Sequence, residues 1–137
     1  MGVVHELIRS EADGKISFGD YTLSSKTKKE NFAHGGDTYK VKTFREITKL
    51  ECNGMFVYES VPGTAVNSLE VTENEVSFQA EGPEDAEITL GLSESAEYEV
   101  FINGENAGTM KTNLGGKLTV SVELGTENPA AVRIVKK

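Results

Sequence analysis

Residues 97–124 read EYEVFINGENAGTMKTNLGGKLTVSVEL, and this stretch decides the class of the fold. Tyr98, Val100 and Ile102 alternate with Glu97 and Glu99, and Leu118, Val120, Val122 and Leu124 alternate with Lys117, Thr119, Ser121 and Glu123. A period of two with one apolar side describes a strand with one face buried against a second layer. Asn103-Gly104 supplies the positive-φ pair of a tight hairpin. Leu114-Gly115-Gly116 supplies a second turn signal, so the stretch reads as a three-stranded meander of about 97–102, 106–111 and 117–124.

The same rhythm runs outward in both directions. Toward the C-terminus, Pro129 precedes a last strand, Ala131–Val135. Toward the N-terminus, Ala86–Leu92 alternates, and Val66–Thr72 with Glu75–Glu81 reads as a hairpin turning at Glu73-Asn74. Val61-Pro62-Gly63-Thr64 places Pro and Gly where a type II turn wants them. Met55–Glu59, MFVYE, is apolar on both faces. Thr43–Glu51 is readable as a strand or, from the three-residue spacing of Phe44, Ile47 and Leu50, as a short helix; the Asn53-Gly54 turn that follows favours the strand. Thr38–Phe44 and Asn31–Ala33 flank the loop His34-Gly35-Gly36-Asp37. Ser24–Glu30 carries Lys26, Lys28 and Lys29 and fits a surface loop or a protected edge strand. Lys15–Leu23 and Val3–Arg9 complete the set. The reading is one all-β domain over residues 1–137, an antiparallel sandwich or barrel-like fold of about ten or eleven short strands. A change in composition near residues 60–65 suggests two sub-sheets, roughly 1–60 and 65–137.

Composition bounds function. The 137 residues suffice for one core. Net charge is −8, unevenly spread: residues 1–50 hold nine Lys/Arg against seven Asp/Glu, and residues 51–137 hold five against fifteen. No basic residue lies between Glu51 and Met110, which disfavours a nucleic-acid partner. No apolar run approaches a membrane span of about 20 residues, and no secretory signal is visible. With a single cysteine, Cys52, the chain has no internal disulfide, which fits a cytoplasmic location.

No cofactor, metal or catalytic set stands out. His5 and His34 lie in no metal-ligand spacing, and His34 with Asp37 falls short of the three protein ligands of a zinc site. Cys52 has no base placed beside it by any motif. No nucleophile elbow or phosphate loop is present. Glu81, Glu84, Asp85 and Glu87 form an acidic loop with only part of a calcium ligand set. What remains is surface: Met55, Phe56, Val57 and Tyr58, with Phe101 and Val135, place apolar side chains on outward-facing positions. They suggest an interface. The expectation is a non-catalytic protein acting through self-association or a protein partner. The alternative is a small carbohydrate-binding module, for which the aromatic platforms are few: Trp is absent and the four tyrosines are scattered.

Three runs carry a resemblance: Tyr39–Leu50 (YKVKTFREITKL), Asn53–Val66 (NGMFVYESVPGTAV) and Met110–Leu118 (MKTNLGGKL). Together they resemble a group of short bacterial proteins that often carry the name endosialidase. The resemblance implies no site residue. Sialidases resemble six-bladed propellers with a Ser-x-Asp-x-Gly-x-Thr-Trp box and a three-arginine clamp. This chain is too short for six blades and has no such box, and its three arginines, Arg9, Arg45 and Arg133, sit in no matching motif.

Overall fold

A computed structural model describes residues 2–137 as two antiparallel sheets packed face to face. The strands in chain order are β1 (Ile8–Ser10), β2 (Ile16–Phe18), β3 (Thr27–His34), β4 (Asp37–Phe44), β5 (Ile47–Cys52), β6 (Met55–Val61), β7 (Ala65–Val71), β8 (Glu75–Glu81), β9 (Ala86–Gly91), β10 (Glu97–Ile102), β11 (Glu105–Lys111), β12 (Lys117–Val122) and β13 (Ala130–Lys136). One sheet runs β1-β2-β7-β8-β13-β10-β11, and the other runs β12-β9-β6-β5-β4-β3. The all-β sandwich read from alternation is therefore the fold, but Thr43–Glu51 is neither one strand nor a short helix: β4 ends at Phe44, the chain turns at Arg45-Glu46, and β5 begins at Ile47. Among the described residues no helix is long and apolar enough to cross a membrane.

The division into sub-sheets at residues 60–65 does not hold. Each sheet takes strands from both halves of the chain, because the chain changes sheets repeatedly. The opening meander is one casualty: β10 and β11 form a hairpin in one sheet, whereas β12 lies in the other. The segment 112–116 is thus a corner between layers. Thr112, buried there, donates its hydroxyl to Ser93 O (2.6 Å), and the Asn113 side chain accepts the N–H groups of Gly115 and Lys117. A second corner, 62–64, carries β6 into β7. The Val61-Pro62 peptide is cis and Gly63 has no positive φ, so the type II turn is not formed.

The core follows the alternation. Phe18, Tyr58, Phe78, Ile88, Leu90, Val100, Val120 and Ile134 are buried between the layers. The Tyr58 ring meets Phe18 and Phe78 edge-on, at centroid distances of 5.2 and 5.6 Å. Its hydroxyl enters a buried polar chain: Tyr58 and Ser60 each share a 2.8 Å bond with the Thr64 hydroxyl, and the Thr48 hydroxyl donates to Thr64 O. Among the described residues no buried side-chain polar atom lacks a partner, as a dry core requires.

Bulges explain where alternation misled. Between β5 and β6 the register shifts so that Leu50 faces Tyr58 while Glu51 faces Phe56. The extra residue lets MFVYE put Phe56 outside and Val57 and Tyr58 inside. A similar shift in β7, with Ser68 at φ 58°, leaves Leu69 buried but Val71 exposed.

Candidate functional site

Antiparallel topology places alternate connections at the same end of a sandwich. Here residues 11–15, 35–36, 53–54, 72–74, 92–96 and 112–116 gather at one end. Between the layers at that end lies a cleft of about 480 Å³. Its floor is apolar: Ile16, Val57, Leu69, Val76, Leu90 and Leu92. The volume falls within the range of about 300–1,000 Å³ usual for ligand pockets.

One wall comes from β3 to β5. The His34 ring bridges the two layers on this side, with Nδ1 2.6 Å from the Ser10 hydroxyl and Nε2 3.0 Å from Gly14 O. A carbonyl only accepts, so Nε2 carries a hydrogen, and in the neutral ring Nδ1 accepts from Ser10. Asp37 accepts from Asn53 Nδ2 (2.9 Å), while Asn53 Oδ1 takes the N–H of Thr38. Cys52 pairs with Tyr39 across β4 and β5, and both line the cleft. Burial pushes the Tyr39 phenol up to about 12, helped by the neighbouring Cys52 thiol and the Asp37 carboxylate. Tyr21 is also raised to about 12, first by burial and then by the Glu81 carboxylate to which it donates.

A prediction follows for alkaline solution. Both phenols favour the neutral form in the folded state, so their contribution to stability is complete below pH 10. It is lost as the pH rises through about 12. A spectrophotometric phenolate titration should show Tyr21 and Tyr39 ionising about two units late and the fully buried Tyr58 later still, with the unfolding midpoint in urea falling over the same window.

Chemically, Ser10, His34 and Gly14 O line up a hydroxyl, an imidazole and a carbonyl. The donor that would flank an oxyanion beside this serine, the Glu11 N–H, is already bonded to Lys15 O at 2.8 Å. The alignment therefore acts as a staple between β1 and β3, and no hydrolytic role is assigned to it. Among the described residues there is no cluster of metal-ligating side chains. The three arginines lie on separate elements; Arg9 pairs with Glu11, and Arg133 pairs with Glu75.

The residues expected to form an interface are scattered. Tyr58 is wholly buried and Val57 packs against the core, so neither is an outward residue; the β5–β6 bulge is the cause. Phe56 lies outside but beneath two cations, Lys117 Nζ at 4.6 Å and Lys49 Nζ at 5.9 Å from its centroid. Phe101 is covered in the same way by the Arg133 guanidinium at 5.4 Å. Val135 is half-buried in a row between Glu75 and Glu99. Met55 alone stands open, 72 % exposed, next to the cleft wall through its partner Cys52.

Met55 has company that the sequence reading missed. Val71, 58 % exposed, lines the cleft itself. Leu114, 84 % exposed, sits on the corner that is tied to the cleft residue Leu92 by the bond from Leu92 N to Gly116 O. Three of the four large apolar side chains exposed among the described residues thus lie at the cleft end of the sandwich, Val71 in the lining itself; Val61 is at the other end. Asp37 and Glu70 line the cleft, and no Lys or Arg does. No family model matches the sequence, and neither the curated proteins nor the solved structures yield a match.

Proposed function

We propose that the protein is a non-catalytic binding module whose end cleft receives an apolar segment of a protein partner carrying a basic flank. The observation that supports this reading is the coincidence of an apolar-floored cleft with the exposed Val71 in its lining and the exposed Met55 and Leu114 at the same end of the sandwich. Exposed apolar side chains concentrated at one concavity are a recognised mark of a protein-binding site. The chemistry of the occupant comes from the lining: apolar atoms below, the Asp37 and Glu70 carboxylates at the wall, and no cation to oppose a lysine or arginine. For the glycan reading the lining offers a single phenolic ring, Tyr39.

Panning a random peptide library against the full chain tests this. Enriched peptides should pair apolar residues with Lys or Arg. Val71→Glu, on a side chain already mostly exposed, should weaken their binding about tenfold or more without lowering thermal stability. Enrichment of peptides that bind Val71→Glu equally well would contradict the proposal.

A further inference from the structure

A sandwich has open strand edges, and natural proteins usually disarm them. Three of the four edges here are disarmed. β1 is only three residues long. β3 carries Lys28 and Lys29 and a bulge around Asn31, whose φ is 59°. β11 is broken by a bulge opposite Val100 and Phe101, with Gly108 at φ 116°. β12 is the least protected, with one lysine, Lys117, at its first position. It pairs with β9 in unbroken register from Lys117↔Gly91 to Val122↔Ala86, it lacks proline, and it alternates strictly between exposed and buried side chains.

The hydrogen-bond pattern shows which backbone groups are open. Leu92 N donates to Gly116 O, one step beyond the Lys117↔Gly91 pair. Antiparallel pairs alternate between bonded and non-bonded, so Leu118, Val120 and Val122 bond to β9. Lys117, Thr119 and Ser121 then turn their N–H and C=O groups away from the sheet. Asn113 occupies those of Lys117, accepting its N–H at 3.0 Å and donating to its carbonyl at 3.2 Å. Thr119 and Ser121 look outward, because β12 ends its sheet. Beside Ser121 and Glu123 is an open groove of about 400 Å³, bounded on the far side by Ile102, Glu105 and Asn106.

We propose that β12 is the pairing edge of a two-fold homodimer, joined antiparallel to β12 of a second copy with Ser121 on the axis. A two-fold interface must be complementary to itself, and this register is. Ser121 faces Ser121, and Thr119 faces Glu123 of the second copy, so the open N–H and C=O groups of both strands are used. On the inner side Val120 meets Val122 and Leu118 meets Leu124, continuing the apolar row across the axis. On the outer side Lys117 lies diagonally across from Glu123 of the second copy, and would pair with it by moving its ammonium off the Phe56 ring. A register shifted toward Lys117 would collide with Asn113, which already holds that position. This interface is separate from the end cleft and stands or falls without it.

Sedimentation equilibrium of the full chain provides the test. Wild type should be a dimer in the micromolar range. Thr119→Pro removes an outward N–H and no backbone bond within the sheet, losing there only the exposed hydroxyl bond to Thr89, and should raise the dimer dissociation constant about a hundredfold, the loss of two pairing bonds with their neighbours. Ser121→Lys sets two ammonium groups face to face and should dissociate the dimer in a salt-dependent way. Ser121→Cys should form a covalent dimer on mild oxidation, since opposed residues of a bonded pair sit about 5.5 Å apart between Cα atoms, within disulfide reach. Circular dichroism of each variant controls for folding, and Ser121→Lys keeps the test valid if Thr119→Pro fails to fold. A monomer at all concentrations, or a dimer indifferent to Ser121→Lys with no cross-link at position 121, would overturn the proposal.

Discussion

Tyr58→Ala should lower stability by about 4–6 kcal/mol, combining the cavity left by a large core side chain with the loss of two aromatic pairs. Tyr58 is fully buried, and its ring is wedged between Phe18 of one sheet and Phe78 of the same sheet two strands away. Truncation would leave Phe18 and Phe78 without their ring partner and strand the Thr64 hydroxyl with Ser60 alone. Against a total stability of about 5–15 kcal/mol, such a loss would bring the chain to the brink of unfolding. Tyr58→Phe isolates the polar part. It keeps the ring and removes only the bond to Thr64, and should cost about 1 kcal/mol. Urea denaturation of the two variants checks both values. A small loss for Tyr58→Ala would mean that Tyr58 faces outward, as the pattern of Met55–Glu59 alone suggests.

The second large effect is expected at Gly63. A Cβ there would fall well inside contact distance of the Phe44 carbonyl oxygen, and 3.1 Å from its carbon. Both obstacles are backbone. The corner at 62–64 rests on the β4–β5 turn, where Gly63 N also donates to Arg45 O at 3.0 Å. Because neither side can rotate away, Gly63→Ala should cost about 3 kcal/mol or more. Gly54→Ala is the matched control. Gly54 has φ +78° with nothing near its missing Cβ, so the substitution costs only the left-handed conformation, about 1 kcal/mol. Thermal denaturation of the pair should rank them clearly. Equal effects would mean that the corner does not press on the turn.

The strands themselves were readable because one face of each is buried. Leu118, Val120 and Val122 announce β12 without any structural help, and the hairpin at Gly35-Gly36 follows from its glycines. Which sheet a strand joins was not readable. Leu114-Gly115-Gly116 looks the same whether the chain reverses within a sheet or crosses to the other layer, and the deciding contacts, such as Thr112 to Ser93, are long-range. Bulges hid for a similar reason. MFVYE shows apolar residues on both sides, and one inserted residue accounts for that as well as an interface does. The cleft was the least legible feature. Its residues come from eight strands, β2 to β9, and the turns beside them, each unremarkable alone; His34, Asp37 and Cys52 were visible only as turn residues. The available signal was topological: every second turn of an antiparallel sandwich lies at one end, so Asp37, Cys52, Val71 and Leu92 were bound to be neighbours once the strand count was right.

The charge asymmetry also gains a location. The lysines of the first fifty residues line up across one part of a sheet: Lys28 pairs with Lys42, and Lys42 with Lys49. The positive patch therefore belongs to the β3–β5 side of one layer, away from the carboxylates of the cleft. A basic partner segment would meet the acidic end and be repelled by the other.

The most direct measurement is an amide-resolved NMR titration of the isotope-labelled full chain with the best peptide from the library. Shift changes should concentrate at 34–39, 52–57, 69–72 and 90–92, the walls and floor of the end cleft, and should disappear in Val71→Glu. Changes confined to the outer sheet faces around Phe56 or Phe101, with the cleft residues silent, would contradict the account.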